Sequence, residues 1–179
     1  MQKNFQQQKW SWTWERESLS NVWSKLGLPS LDCHTRETLY FLIHNKLPVK
    51  ERLFRIGMEN DPYCELCLEE GGTFVCDREH TFCSCSSVSG LWQRIRTIVD
   101  PILPENVSDL KLLTLNFNGG SYNFEVTWLV CTYVHEIWSL LKARVGVISH
   151  DEMFGFLKFK FKSDQLGANL KMKLLPGFS

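Results

Sequence analysis

Five of the chain's seven cysteines fall in the run CELCLEEGGTFVCDREHTFCSC, Cys64 to Cys85, gathered around a single histidine, His80. This segment constrains the fold most, because it concentrates most of the chain's soft, metal-binding side chains. Cys64 and Cys67 have the C-x2-C spacing that lets two thiolates on one tight turn face one ion. His80 and Cys85 stand as H-x4-C, so the whole reads C-x2-C-x12-H-x4-C. A structural zinc site takes four such sulfur and nitrogen ligands in a tetrahedron. Three other readings compete with zinc: a disulfide patch, a catalytic thiol paired with His80, and cysteines buried as small hydrophobes. Within the zinc reading, the residues leave the fourth ligand open. If a helix begins at His80, Cys83 lies nearer the histidine's face than Cys85 does. Cys76, in the loop, is a third candidate.

The chain has 179 residues, the length of one domain with or without a small appendage, and long enough to bury a real core. Twenty basic residues balance twenty acidic ones, so no global polyanion-binding signature exists and any nucleic-acid role must rest on local charge. The opening MQKNFQQQKW lacks the apolar core of a secretory signal, and no apolar run approaches the ~18 residues of a membrane span. The expectation is an intracellular protein, of nucleus or cytoplasm, with no membrane partner. In a reducing compartment clustered cysteines are metal ligands or reactive thiols more often than disulfides.

Along the chain the patterning predicts a mainly α fold. Trp10, Trp12 and Trp14 alternate with polar residues, which predicts an extended arm. Residues 15–26 read as a helix ending at Gly27 and Pro29. A second helix is predicted to start near Thr35, turn Leu39, Phe41, Leu42 and Ile43 inward, and end at Pro48. A short third helix places Val49, Leu53 and Ile56 on one side and is closed by Gly57. From His80 to Val99 one continuous helix is predicted, with Val88, Leu91, Trp92, Ile95 and Ile98 recurring at three- and four-residue steps. Another short helix is expected within 108–117, followed by a turn at Asn118-Gly119-Gly120. The longest helix should span Asn123 to Ala143, with Glu125, Thr132, Glu136 and Ser139 on its polar side. The stretch Leu157 to Lys162 alternates like a strand but lacks breakers, and is read as helix.

The run RETLYFLIHNKLPVKERLFRIGMENDPYCELC, continued by DREHTFCSCSSVSGLW, resembles the zinc-binding region that follows the reverse transcriptase of non-long-terminal-repeat retrotransposons. The matching positions are Arg36, His44, Leu47, Pro48, Arg52, Leu53, Cys64, Cys67, Glu79, His80, Phe82, Cys85, Leu91 and Trp92. The resemblance implies that Cys85 is the fourth ligand and Cys83 a variable filler. It implies a small helical domain with an inserted zinc-binding loop of CCHC type. It also implies a division into an N-terminal arm and helix (1–30), a reverse-transcriptase-type zinc-binding domain (31–100) and a helical tail packed on it (101–179). No Tyr/Phe-x-Asp-Asp tetrapeptide occurs, so the convergent carboxylates of two-metal polymerisation are missing and no DNA synthesis is expected.

The resemblance further implies binding of element RNA or target DNA, alone or beside the remainder of a reverse transcriptase. Local charge supports it in part. Residues 34–56 carry Arg36, Lys46, Lys50, Arg52 and Arg55 against Glu37 and Glu51, a net of +3. Residues 155–173 carry Lys158, Lys160, Lys162, Lys171 and Lys173 against Asp164, a net of +4. The cysteine loop opposes phosphate, since Asp61, Glu65, Glu69, Glu70, Asp77 and Glu79 face only Arg78, a net of −5. Zinc is therefore expected to act structurally, with the flanking helices offered to nucleic acid. The competing readings are a solvated basic face, a protein-docking module, and a restriction-like nuclease built on Asp100 and Asp109-Leu-Lys111.

Overall fold

The computed structural model describes residues 16–104, 107–118, 120–143 and 149–167. Among them the helices are α1 (Arg16–Leu26), α2 (Cys33–Ile43), α3 (Lys50–Arg55), α4 (Glu65–Glu69), α5 (Ser89–Val99), α6 (Asp109–Leu113), α7 (Asn123–Lys142) and α8 (His150–Gly167). A π-turn covers His80–Ser84, and single 3-10 turns cover Asp100–Ile102 and Gly120–Tyr122. No strand occurs among the described residues; Tyr63 and Val75 form one isolated antiparallel bridge. The mainly α expectation holds. None of these helices is long and apolar enough to cross a membrane. The tryptophan arm, Lys171 and Lys173 lie outside the described residues.

The boundary of α2 differs from the expected one. Asp32 is the N-cap, accepting from the Thr35 N–H at 2.8 Å and from the Thr35 hydroxyl at 2.8 Å. An aspartate ahead of the first turn satisfies an orphan N–H better than a threonine already inside it. The helix stops at Ile43, well before Pro48; His44 is its C-cap, and Asn45 after it, at φ 53°, takes a left-handed C-terminal conformation. Lys46 N–H then reaches back to Phe41 O at 2.6 Å. Leu39, Leu42 and Ile43 point inward as expected, but Phe41 is 37% exposed. Ile56 likewise stays in water, while Val49 ahead of α3 is buried.

The helix α7 runs close to its expected bounds but not with the expected polar side. Every residue from Glu125 to Val134 is buried, Glu125 and Thr132 included. The reason is its central position: α2, α6 and α8 all pack on it. Burial of each large apolar side chain here contributes roughly 1.5–3 kcal/mol. The stretch Leu157 to Lys162 is helical within α8, because Leu157 and Phe161, one turn apart, are both fully buried. Phe159, between them, is 71% exposed. The buried apolar residues form one cluster running from Val22 to Phe161, and it takes in Cys64, Cys67, Cys83 and Cys85.

Candidate metal centre

Cys64 stands immediately before α4 and Cys67 lies within it, so one short turn presents both sulfurs. Gly71, at φ 83°, reverses the chain, and Gly72 N–H donates to Cys67 O at 2.7 Å. A Cβ on Gly72 would come within 2.6 Å of the Phe74 ring and 3.2 Å of Cys67 O, so any side chain there would have to displace that ring and crowd the carbonyl. The returning strand-like segment is held by Cys64 N–H to Phe74 O at 2.9 Å and Cys76 N–H to Pro62 O at 2.8 Å.

The second half of the site is where the expected continuous helix fails. The chain makes a π-turn from His80 to Ser84, closed by Cys85 N–H on His80 O at 2.8 Å. An i-to-i+5 bond brings the fifth residue round above the first, which an α-helix does not do. Cys85 itself is extended (φ −61°, ψ 139°), and α5 begins afresh at Ser89. The break therefore turns Cys85 towards His80, and the helical argument that favoured Cys83 loses its premise.

Four donor atoms converge: those of Cys64, Cys67, His80 and Cys85 all lie within 4.8 Å of one another, and all four residues are buried. Cys64 Sγ and Cys85 Sγ are 3.7 Å apart, Cys67 Sγ and Cys85 Sγ 3.9 Å, and Cys67 Sγ and His80 Nε2 3.4 Å. Tetrahedral zinc with bonds of about 2.3 Å to sulfur sets sulfur–sulfur separations of about 3.8 Å. The arrangement fits that ion. It does not fit disulfides, which need sulfurs about 2.05 Å apart, and all seven cysteines are free. Cys83 and Cys76 stay outside the group of four. Burial pushes the Cys83 thiol far up, with Asp109 and Glu79 adding to it. Cys76 is lowered to about 7, first by its hydrogen bond to Cys64, and it also bonds Thr81.

The electrostatics mark the same crowding. The sulfurs of Cys64 and then Cys85 raise the His80 imidazole to about 9, against its burial, and its Nε2 also lies 3.4 Å from Cys67 Sγ. Cys64 and burial raise Cys85. Soft donors that perturb one another this strongly are relieved by a divalent cation.

Around the donors lies a set of supporting groups that the sequence reading missed. His80 Nδ1 is 3.2 Å from Ser84 Oγ, which fixes the ring so that Nε2 faces the sulfurs. Asp77 Oδ1 accepts from His80 N–H at 2.7 Å. The Phe74 ring stacks on the imidazole at 5.5 Å and 12°. Ser86 and Ser87 hydroxyls approach Cys67 and Cys85 at 3.7 and 3.3 Å. The capping distance from Asp77 to His80 was a readable signal; the serines and Phe74 left none.

A family model described as zinc-binding in reverse transcriptase matches residues 3–92. The chain belongs to that family. Its metal is zinc, and the buried cysteine–histidine cluster fits it. No curated protein and no solved structure matches the chain. The zinc-binding match ends at Trp92, so α7 and α8 lie beyond it.

The basic residues expected to meet nucleic acid are placed unevenly in this zinc-binding chain. Arg36 donates to Leu28 O and Arg52 to Asn45 O, both at 2.8 Å, which anchors them without cancelling their charge. Lys46 and Lys162 are exposed. Lys50 pairs with Asp61 at 3.2 Å and Glu65 at 3.0 Å, Arg55 with Glu51, and Lys160 with Glu136 at 2.9 Å. Lys158 lies 5.6 Å from the Phe154 ring centre.

Proposed function

We propose that this chain is a non-catalytic, zinc-stabilised nucleic-acid-binding module that holds element RNA or target DNA for a reverse transcriptase. Zinc on Cys64, Cys67, His80 and Cys85 has a structural role in this reading. The observation that carries it is the buried four-donor cluster, tied through Lys50 to the acidic Asp61 and Glu65. These contacts absorb part of the loop's negative charge and fix α3 beside it. Arg36, Lys46 and Arg52 on one side, with Lys158 and Lys162 on α8, are then the groups for phosphate. Lys50, Arg55 and Lys160 contribute less, because carboxylates already face them.

The nuclease reading has less support. Arg96 reaches Asp100 at 3.0 Å and Asp109 at 3.6 Å, so the two carboxylates are drawn to a guanidinium rather than left to share a cation. Protein docking has one observation in its favour, an open groove of about 630 Å³ lined in part by Phe41, Leu53, Trp138 and Leu141. Filter binding of a labelled RNA across a salt series decides between them. Phosphate neutralisation by about five cations predicts a slope of about −3 to −4 in log affinity against log salt. A flat series, or no binding at low salt, overturns the nucleic-acid reading in favour of docking.

A further inference from the structure

Three aromatic rings meet on the outer surface where α1 crosses the end of α2. Trp23 lies on His44 with centroids 5.5 Å apart and planes at 30°, Tyr40 sits 4.4 Å from His44, and Trp23 and Tyr40 are 6.0 Å apart. Helix α1 already buries Val22 and Leu26, so its anchoring does not depend on these rings. Trp23 is nevertheless 39% exposed and Tyr40 41%, and His44 is exposed too. Tryptophan is mostly buried on average, so a cluster of this kind left in water marks a contact surface.

The surroundings say what kind of contact. The left-handed Asn45 turns the chain just after His44, and the exposed Lys46 follows two residues beyond that ring in sequence. Arg52 is fixed to Asn45 O at 2.8 Å, bringing a guanidinium to the same corner. Glu37, one turn earlier on α2, is the acid on this part of the helix. Flat π-faces bordered by cations are the chemistry that takes unpaired bases, with the rings stacking and the cations following the backbone. Paired bases cannot offer their faces this way.

We propose that Trp23, Tyr40 and His44 form a stacking platform that selects single-stranded over double-stranded nucleic acid. The proposal rests on the nucleic-acid reading above and adds the form of the ligand to it. The test is fluorescence anisotropy of the zinc-loaded full chain with a labelled 15-nucleotide oligo(dT) and a 15-base-pair duplex. Wild type is expected to bind the single strand at least about tenfold more tightly. Trp23→Ala and Tyr40→Ala should each weaken single-strand binding by about 5- to 50-fold while leaving duplex binding and the salt slope unchanged. Trp23→Phe should keep most of the affinity. Lys46→Ala should instead weaken both ligands and flatten the salt slope. Zinc content and melting temperature, unchanged in every variant, guard against misfolding. If wild type binds single strands and the alanine variants bind equally well, or if the duplex is preferred, the platform is wrong and the phosphate reading survives. If wild type binds neither oligomer, the platform is wrong, and if it also fails to bind the labelled RNA at low salt, the nucleic-acid reading falls with it.

Discussion

The metal lobe and the α7 core sit side by side in one molecule, and different physics holds each. Between Tyr63 and Ser84 the regular pieces, α4 and the π-turn, are five residues each, too short to persist alone. Leu68 and Phe74 there are 42% and 54% exposed, so the loop buries little of its own apolar surface, and Phe82, fully buried, belongs to the main core rather than to a core of the lobe's own. Helix α7 has twenty residues and ten consecutive buried positions. The contrast teaches where a chain of this size uses ligand chemistry: where a segment is too short and too acidic to make its own core, four donors on one ion replace it.

The sharpest way to break that contrast is to remove the ion. Cys85→Ser, or a strong chelator, should abolish the one zinc per chain and cost the lobe more than about 4 kcal/mol. Hydrogen exchange should then show amides of residues 62–88 opening while those of α7 keep their protection. If α7 amides open at the same chelator concentration, the two regions are one cooperative unit and the contrast is wrong. Cys83→Ser is the control, since its buried thiol lies outside the four. It should cost about 1–3 kcal/mol for the buried hydroxyl but retain the zinc. Elemental analysis of both variants reads the difference directly.

A smaller effect tests the core side. Lys25 is 3% exposed, lies over the Phe117 ring at 3.8 Å, and donates to Leu115 O at 2.8 Å and to Phe117 O. These contacts hold a turn in which Leu115 has φ 61°. Burial lowers the Lys25 ammonium to about 8 from 10.5; the neighbouring Cys131 works in the opposite direction. Between about pH 8 and 10.5 the unfolded chain therefore binds more protons than the folded one, and this lysine's contribution to stability rises with pH. Below pH 8 both states are protonated and the contribution is flat. Lys25→Met should cost about 2 kcal/mol at pH 7 through the abandoned carbonyls. It should also erase the rise between pH 8 and 10.5. Urea midpoints for both proteins across that range measure it, and parallel curves would mean that Lys25 does not carry the dependence.

Much of this was legible in the sequence, for reasons that differ between the regions. The three- and four-residue recurrence of Leu91, Trp92 and Ile95 marked α5, and the broad apolar face left between spaced polar positions marked α7, because local period follows helix geometry. Cys64, Cys67 and His80 stood out by their spacing, whereas spacing left Cys85, Cys83 and Cys76 open as the fourth donor and only the family resemblance pointed to Cys85. What no local rule carries is tertiary context. Glu125 and Thr132 read as solvent positions, yet three packing helices bury them. The π-turn at His80–Ser84 looks like ordinary helix in sequence, since one inserted residue per turn leaves no compositional mark. The stacking surface was hidden for the same reason: Trp23 and His44 are far apart in the chain and meet only when α1 folds across α2.

Tyr133→Phe makes the smallest change, and it asks whether the two regions communicate at all. The Tyr133 ring, fully buried on α7, lies 5.3 Å from Trp92, and its hydroxyl donates to Phe82 O inside the π-turn. That bond is a direct polar link from the central helix to the turn that presents His80. Removing one hydroxyl while keeping the ring should cost about 1 kcal/mol, because the packing is preserved and one buried carbonyl loses its donor. If α7 holds the turn ready for the ion, the same 1 kcal/mol should reappear as zinc affinity weakened about five-fold in competition with a chelator. If stability falls and zinc affinity does not move, the π-turn is set by its own residues, and the lobe and core are independent neighbours. A weakening well beyond five-fold would mean that α7 organises the metal site itself, and then the part of the chain beyond the zinc-family match belongs to the site as much as the cysteines do.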